Sequence, residues 1–205
     1  MMDYDSDLPG FSTCSIPDGS YGDWSVDTFT LTEDDILMAN LRALRDEPLM
    51  YCPPGTYRRL AHKNMGVVMS NTRMERITNY EAVFDATGNV LISGLGLGLV
   101  LEAILSKPDV KHVTVLEVDA DLLNLVGVHF ADRSRVTLIH ADACTWVPPK
   151  GSHWDYAWHD IWNTLDTDNL PLMAKVTRRF GKFCTKQGVW SRSHLYRMRR
   201  RESRY

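Results

Sequence analysis

The residues best suited to chemistry are three closely spaced glycines and the carboxylates that follow them along the chain. The glycines are Gly94, Gly96 and Gly98. They separate an apolar run from a helical stretch, where missing Cβ atoms let the backbone approach a ligand closely. Glu117 closes the next apolar run, where a carboxylate can accept hydrogen bonds from both hydroxyls of a ribose. Asp142 and Ala143 follow the third run, where a carboxylate can meet an adenine amino group.

The spacing of the glycines narrows the choice of ligand. The dinucleotide fingerprint G-x-G-x-x-G requires a third glycine at position 99, which is Leu99 in this chain. Gly98 completes the pattern G-x-G-x-G instead. Glycine clusters also serve ordinary strand-to-helix turns, so the pattern gains its weight from Glu117 at the end of the next strand.

Strands and helices alternate around these residues. We predict strands at 90–92, 113–116, 136–139, 156–158 and 188–190, and helices at 99–105, 121–128 and 170–184. Such alternation gives right-handed βαβ units and a parallel sheet, whose ligand lies at the carboxyl ends of the strands. Asp160 follows the fourth strand, and Asp119 is expected to cap the helix after Glu117. The fold class is therefore α/β.

Charge is distributed unevenly, although the net charge is only −3. Residues 1–41 contain nine acids and no Lys or Arg, whereas residues 175–205 contain eleven bases and one acid. Either the basic end binds a polyanion such as nucleic acid, or the two ends meet within or between subunits. We favour the second interpretation, which makes nucleic acid the less expected partner and a homodimer a reasonable expectation.

Several classes of protein are excluded or disfavoured. The longest uncharged apolar stretch, residues 90–101, is far shorter than the ~20 residues that a membrane span requires. The first residues lack the positive and apolar regions of a signal peptide, so we expect a cytoplasmic protein. The four cysteines form no C-x-x-C pair, and no His, Cys or Asp spacing matches a known metal site. We predict neither a disulfide scaffold nor a bound metal.

Four segments resemble the S-adenosylmethionine-dependent methyltransferase fold, and most closely its spermidine-synthase-like branch, including short viral members. The first leads from Gly66 to the Tyr80-Glu81 pair, and the second is the glycine loop. The third is the ribose-binding strand that ends in Glu117, and the fourth is the strand leading to Asp160. The resemblance covers residues 66–162, about half of the chain.

The resemblance implies a Rossmann-like methyltransferase sheet and an adenosyl sulfonium cofactor, S-adenosylmethionine. The cofactor would be held by Gly94, Gly96, Gly98, Glu117, Asp142 and Ala143. Asp160 would orient or deprotonate the acceptor, with His159 and Tyr80 as secondary candidates and Trp162 shaping the pocket. Methyl transfer is an in-line displacement, so alignment and desolvation are the main contributions expected of the protein.

The chain departs from the polyamine-forming members of that branch at two places. Leu97 occupies the position of an acid in their glycine loop, and Ile161 replaces a second Asp after the catalytic one. The motifs of nucleic-acid base methyltransferases are also missing after Asp160. We therefore place a methyltransferase acting on a small-molecule or protein acceptor first, an aminopropyltransferase second, and a non-catalytic cofactor-binding protein third.

The predicted organisation has four parts. Residues 1–50 form an acidic arm and a helix that begins after Thr32, and residues 51–85 form a hairpin entry segment with a turn near Asn71-Thr72. Residues 86–190 form the Rossmann-like cofactor-binding domain, and residues 191–205 are a basic tail. The arginine-rich tail offers no further strand, so we expect the sheet to stop after its fifth strand, leaving an edge.

Overall fold

A computed structural model describes residue 11, residues 14–46 and residues 51–202. Its strands are β1 (Gly19–Tyr21), β2 (Trp24–Leu31), β3 (Gly55–His62), β4 (Gly66–Ser70), β5 (Gly88–Ser93), β6 (Val110–Glu117), β7 (Val136–His140), β8 (Trp154–His159) and β9 (Cys184–Val189). Its α-helices are α1 (Glu33–Asp46), α2 (Arg73–Thr78), α3 (Tyr80–Asp85), α4 (Leu99–Leu105), α5 (Ala120–Leu125), α6 (Leu170–Phe180) and α7 (Arg192–Glu202). Within this part of the chain, no helix has the length and apolar character needed to cross a bilayer.

The second half of the chain forms the predicted parallel sheet, with the strand order β7-β6-β5-β8-β9. Alternate residues of the central strand β5 enter opposite faces: Val90 and Ile92 join one apolar cluster and Leu91 the other. Helices α4 and α5 cover the first face, whereas α6 and α7 cover the second through buried residues such as Met173 and Leu195. Both faces are therefore buried, as parallel sheets require.

The order of the strands creates a crevice at the carboxyl ends of the central strands. The chain runs outward from β5 through β6 to β7, then crosses back to place β8 on the other side of β5. Neighbouring loops leave β5 and β8 in opposite directions at their carboxyl ends, and such a switch point is where open α/β sheets bind ligands. The predicted glycine loop and Asp160 follow these two strands directly.

The first half forms a separate antiparallel sheet in the order β1-β2-β3-β4, which the sequence interpretation largely missed. The segment expected to be an irregular arm supplies β1 and β2, and β2 pairs with β3 from Trp24↔His62 to Leu31↔Gly55. The prediction of a turn at Asn71-Thr72 was wrong, because the β3–β4 turn lies at residues 63–65. Asn71 instead continues the pairing, since its side-chain oxygen accepts the Arg58 N–H at 2.7 Å.

Three acids of the N-terminal segment pair with bases close to them in the structure. Arg58 lies 3.1 Å from Asp18, Arg59 lies 2.8 Å from Asp27, and Lys63 lies 3.9 Å from Asp23. All three bases belong to β3 or to the turn that follows it. For these acids, the expected pairing with the basic C-terminal end is therefore replaced by pairing across the antiparallel sheet.

The C-terminal segment is a helix rather than a tail as far as Glu202. Leu195 anchors α7, because it is fully buried in the cluster formed by α6 and the sheet. The preceding helix is shorter than predicted: α6 ends at Phe180, and β9 begins at Cys184. Among the described residues β9 is an edge strand, so the sheet stops at the fifth strand as predicted.

Candidate functional site

A cavity of about 450 Å³ opens at the carboxyl ends of β5, β6 and β8. Most of its wall is apolar, and a few polar groups converge on it, which is the usual composition of a small-molecule site. Six of the predicted site residues line it: Gly94, Gly96, Glu117, Asp142, Ala143 and Asp160. The structure thus brings together most of the residues that the sequence singled out.

Two of the glycines are required by contacts within the protein. Gly94 has φ +94°, and a Cβ on it would collide with the backbone carbonyl oxygen of Asp160. Gly98 has φ +71°, and its Cβ would lie 2.5 Å from the Phe130 ring. Gly98 does not line the cavity, so it shapes the start of α4 rather than contacting a ligand there.

Gly96 holds the glycine loop against the antiparallel sheet. A Cβ on this residue, whose φ is +52°, would collide with the sulfur of Met69. The Leu97 N–H donates to that sulfur at 3.0 Å, so the β4 side chain lies directly on the loop. The first sheet therefore forms one wall of the cavity.

Glu117 lies beneath the loop, and only 6% of the residue is exposed. One carboxylate oxygen accepts the Leu95 N–H at 2.8 Å and the other accepts the Asp119 N–H at 2.9 Å. Burial raises the pKa of Glu117, although these backbone N–H groups act in the opposite direction. A carboxylate offers about four lone-pair sites, so each oxygen keeps capacity for a further hydrogen bond from a ligand hydroxyl.

Asp119 connects the site to the first sheet. As predicted, it caps α5, because its side chain accepts the N–H groups of Asp121 and Leu122. Its second oxygen accepts the Trp24 indole N–H at 2.8 Å, which ties β2 to the residue two positions after Glu117. The two sheets are thus joined at the cavity by a hydrogen bond.

Asp142 and Ala143 lie where an adenine-binding pair was predicted. Asp142 is half-buried, and one of its oxygens accepts the Cys144 N–H at 2.7 Å. Ala143 is buried and presents little besides its methyl group and backbone to the cavity. The pair can offer a carboxylate oxygen and a small apolar surface to a flat ring.

A second carboxyl group, Glu75 of α2, joins Asp160 on the cavity wall. Only 9% of Glu75 is exposed, and burial raises its pKa from 4.5 to about 7, against a hydrogen bond from the Ser70 backbone. Burial also raises the pKa of Asp160 well above its ordinary value, and the negative charge of Glu75 adds to this effect. Burial therefore favours the protonated form of both carboxyl groups more than it would at the protein surface.

Sequence reasoning did not find Glu75. The segment that contains it was interpreted as extended, so no helix face pointed this acid towards the others. The available signal in the sequence was the four-residue spacing of Glu75 and Asn79, which corresponds to about one helical turn. In the structure Asn79 is fully buried, and its side chain donates to the Glu75 backbone carbonyl at 3.1 Å.

We expect Glu75→Gln to stabilise the protein above neutral pH. Because the folded state holds the Glu75 proton up to about pH 7, whereas the unfolded chain releases it near 4.5, stability falls as the pH rises between these values. That difference corresponds to about 3 kcal/mol at most. Thermal unfolding should show the variant to be more stable than the parent at pH 8 and similar to it at pH 4. Glu81→Gln, on the exposed start of α3, is the matched control. If the stability of Glu75→Gln and of the parent depended on pH in the same way, the burial argument would be contradicted.

The structure keeps the two secondary candidates, His159 and Tyr80, away from the cavity. His159 is fully buried, and its ring nitrogens lie 2.9 Å from the Ser93 hydroxyl and 3.1 Å from the Gln187 side-chain oxygen. Burial lowers the pKa of His159 to about 4, so the ring is neutral at physiological pH. Tyr80 packs against Phe84, with ring centroids 5.9 Å apart. Neither residue lines the cavity, so both are packing residues in this geometry.

The charged side chains on the described wall of the cavity are all acidic. That wall carries no Lys, Arg or His side chain and five carboxyl groups: Glu75, Glu117, Asp119, Asp142 and Asp160. Three aromatic side chains also line the cavity, namely Trp158, Trp162 and Trp190. Carboxylates combined with aromatic faces are a favourable environment for a positively charged ligand.

No family model matches the chain. Polyamine aminopropyltransferases 1 and 2 of Ralstonia nicotianae are each 35% identical to it over 77 residues, which cover 33% of this chain and 15% of each relative. The chain therefore matches only a small part of the length of these curated relatives.

Solved structures with a similar arrangement include both kinds of enzyme that the sequence resembles. Spermidine synthase from Thermotoga maritima is 18% identical, with a TM-score of 0.41 over 63% of this chain and 49% of that one. The N-methyltransferase NodS from Bradyrhizobium japonicum, in complex with S-adenosyl-L-homocysteine, is 14% identical, with a TM-score of 0.42 over 55% and 57%. The parallel sheet and its strand order define the class: this is a doubly wound, Rossmann-like α/β fold. Within that class, the chain is similar to the spermidine-synthase-like branch.

Proposed function

We propose that this protein transfers a methyl group from S-adenosylmethionine to an amine nitrogen of a small-molecule or protein acceptor. The observation that carries the proposal is the placing of Glu117 and Asp160 on one cavity at the switch point of the sheet. Glu117 would bind the nucleoside, and Asp160 would act on the acceptor.

The residues at the donor end fit an adenosyl cofactor. Gly94 and Gly96 present no side chain there, Glu117 has spare acceptor capacity for ribose hydroxyls, and Asp142 with Ala143 can border the adenine. When bound, the sulfonium supplies an electrophilic methyl carbon. The chain's own contribution is to hold the nucleoside, exclude water and fix the direction of attack.

At the acceptor end, Asp160 and Glu75 would hold and remove a proton. An amine is cationic at neutral pH, and it must lose a proton before its nitrogen can attack. Burial raises the pKa of both carboxyl groups, that of Glu75 to about 7, which makes each a stronger base than an exposed carboxylate. The rings of Trp162 and Trp190 would border the acceptor and favour its cationic form on entry.

Aminopropyl transfer is the second candidate, and one observation favours it. The described cavity wall offers no cationic side chain to the α-carboxylate of S-adenosylmethionine, a group that the decarboxylated cofactor lacks. Against it, Leu97 occupies the place of the family's loop acid and is buried in the core rather than facing the cavity. The counter-charge for an aminopropyl group is therefore missing from that position.

Calorimetric titration with S-adenosylmethionine and its decarboxylated form, followed by mass analysis of products, tests the proposal. Putrescine, spermidine and a lysine-containing peptide serve as acceptor probes. Methyl transfer predicts S-adenosylhomocysteine and an acceptor heavier by one methyl group. Formation of 5′-methylthioadenosine from the decarboxylated cofactor alone would establish the second candidate, and binding without turnover of either would leave a cofactor-binding protein.

We expect Glu117→Gln to weaken binding of S-adenosylhomocysteine by about 10- to 100-fold. The substitution removes the charge that strengthens two ribose hydrogen bonds, each worth about 1.5 to 3 kcal/mol when the acceptor is ionised. Calorimetry measures the change, and Glu81→Gln on the exposed surface of α3 is the control. Unchanged affinity in a folded Glu117→Gln protein would remove the nucleoside from this position.

A further inference from the structure

Helices α6 and α7, together with the turn after α6, carry a group of exposed cations that the proposed reaction does not use. We call it the α6–α7 basic surface and define it by its exposed or half-buried members: Lys175, Arg178, Lys182, Arg192, Arg197 and Arg199. Both helices cover the same face of the parallel sheet and pack against each other. The cations are therefore gathered on one side of the molecule.

These six cations lack ion-pair partners within the part of the chain that the structure describes. Three acids of the N-terminal segment pair with bases of β3 or the turn after it instead, as Asp18 with Arg58 shows. The nearest acids along the chain are Asp166 and Asp168, at the 3₁₀ turn that contacts both helices, and Glu202 at the end of α7. Six cations beside three acids give a net positive surface.

The residue types on α7 favour nucleic acid over an acidic protein. The helix contains five arginines and no lysine, and guanidinium groups bind phosphate oxygens in a bidentate manner. Tyr196 is 41% exposed, and the Arg192 guanidinium lies 5.7 Å from its ring centre. An exposed aromatic ring beside arginine is a stacking platform for an unpaired base. The helix is about 16 Å long, enough to face several phosphates.

The basic surface also adjoins the cavity. Leu172 in the first turns of α6 and Trp190, two residues before α7, both line it. We infer that the α6–α7 basic surface binds a single-stranded nucleic acid beside the mouth of the cavity. The inference does not rest on the proposed transfer reaction, because the charges and the aromatic ring act without a cofactor.

Fluorescence anisotropy with a labelled 12-nucleotide single-stranded RNA tests this inference on the full chain, without cofactor, between 50 and 200 mM KCl. Each phosphate contact adds about −0.7 to the slope of log K against log salt for single strands. We expect Arg197→Gln/Arg199→Gln to reduce that slope by about 1.4 and to lower affinity at 100 mM salt about tenfold. Lys111→Gln/Lys150→Gln removes two exposed cations that lie outside both helices, at the start of β6 and in the loop before β8, and should leave both quantities unchanged.

A second variant separates base stacking from charge. Tyr196→Ala should weaken RNA binding several-fold without changing the salt slope, because stacking releases no counterions. Absence of RNA binding, equal binding of polyglutamate, tighter binding of duplex RNA, or equal effects of the two double variants would each overturn the inference. Thermal unfolding of every variant shows whether a loss of binding reflects a loss of fold.

Discussion

Asp160→Asn should lower turnover of the true acceptor by about 10²- to 10⁴-fold, the usual contribution of a general base. The amide has the same size as the carboxyl, and the Asp160 backbone N–H still donates to the Ser93 carbonyl at 2.9 Å. What it loses is the ability to take a proton. Binding of S-adenosylhomocysteine should therefore stay within about twofold of the parent. Steady-state rates and calorimetry on the same preparation separate the two effects.

The pH dependence gives this prediction a second readout. Turnover of the parent should rise with pH, because the base acts in its ionised form and burial has raised its pKa. The Glu75 charge contributes to that rise in pKa, so in Glu75→Gln the midpoint of the profile should move to lower pH. Asp168→Asn, on an exposed turn, is the control. Full turnover by Asp160→Asn would remove the residue from the mechanism.

Gly94→Ala is expected to be the most destabilising single substitution in the glycine loop. Its Cβ would meet a backbone carbonyl oxygen, that of Asp160, which has no flexible side chain to move aside. A left-handed backbone costs a non-glycine residue about 1 to 2 kcal/mol, and overpacking adds about 1 to 3 kcal/mol. Denaturant or thermal unfolding measures the sum. Relief of the clash would also displace Asp160, so any folded fraction should lose turnover.

Gly151→Ala separates the two contributions. Gly151 has φ +87°, close to that of Gly94, but no atom lies within 4 Å of the position of its Cβ. Its substitution should therefore show the conformational cost alone. If both variants lose the same stability, the close approach of the two strand ends contributes nothing, and the glycine serves only the turn.

The sequence predicts the parallel sheet well because its signals are local. Val90, Leu91 and Ile92 form a continuous apolar run, as a strand buried on both faces requires, and glycines follow immediately. The carboxylates at the ends of these strands then meet at one edge through topology alone. The cavity, Glu117 and Asp160 therefore follow from strand order, without knowledge of side-chain packing.

The missed elements depend on contacts between distant parts of the chain. The strand β2 alternates in burial, but its acids and serines resemble those of an irregular arm until β3 pairs with it. The helix α7 has little apolar surface, and its fully buried anchor, Leu195, needs α6 to pack against. His159 illustrates the opposite error, because a histidine beside a predicted catalytic residue pointed into the core.

The contact between Gly94 and the Asp160 carbonyl couples the two halves of the cavity mechanically. A change in the glycine loop is transmitted to the end of β8, so the two sides of the cavity cannot be altered separately through this loop. Redesign of the cavity would have to begin farther out, at Asn163, because its side chain is exposed whereas Trp162 is buried in the second apolar cluster. A directed library at Asn163 would vary the cavity wall at little risk to the scaffold.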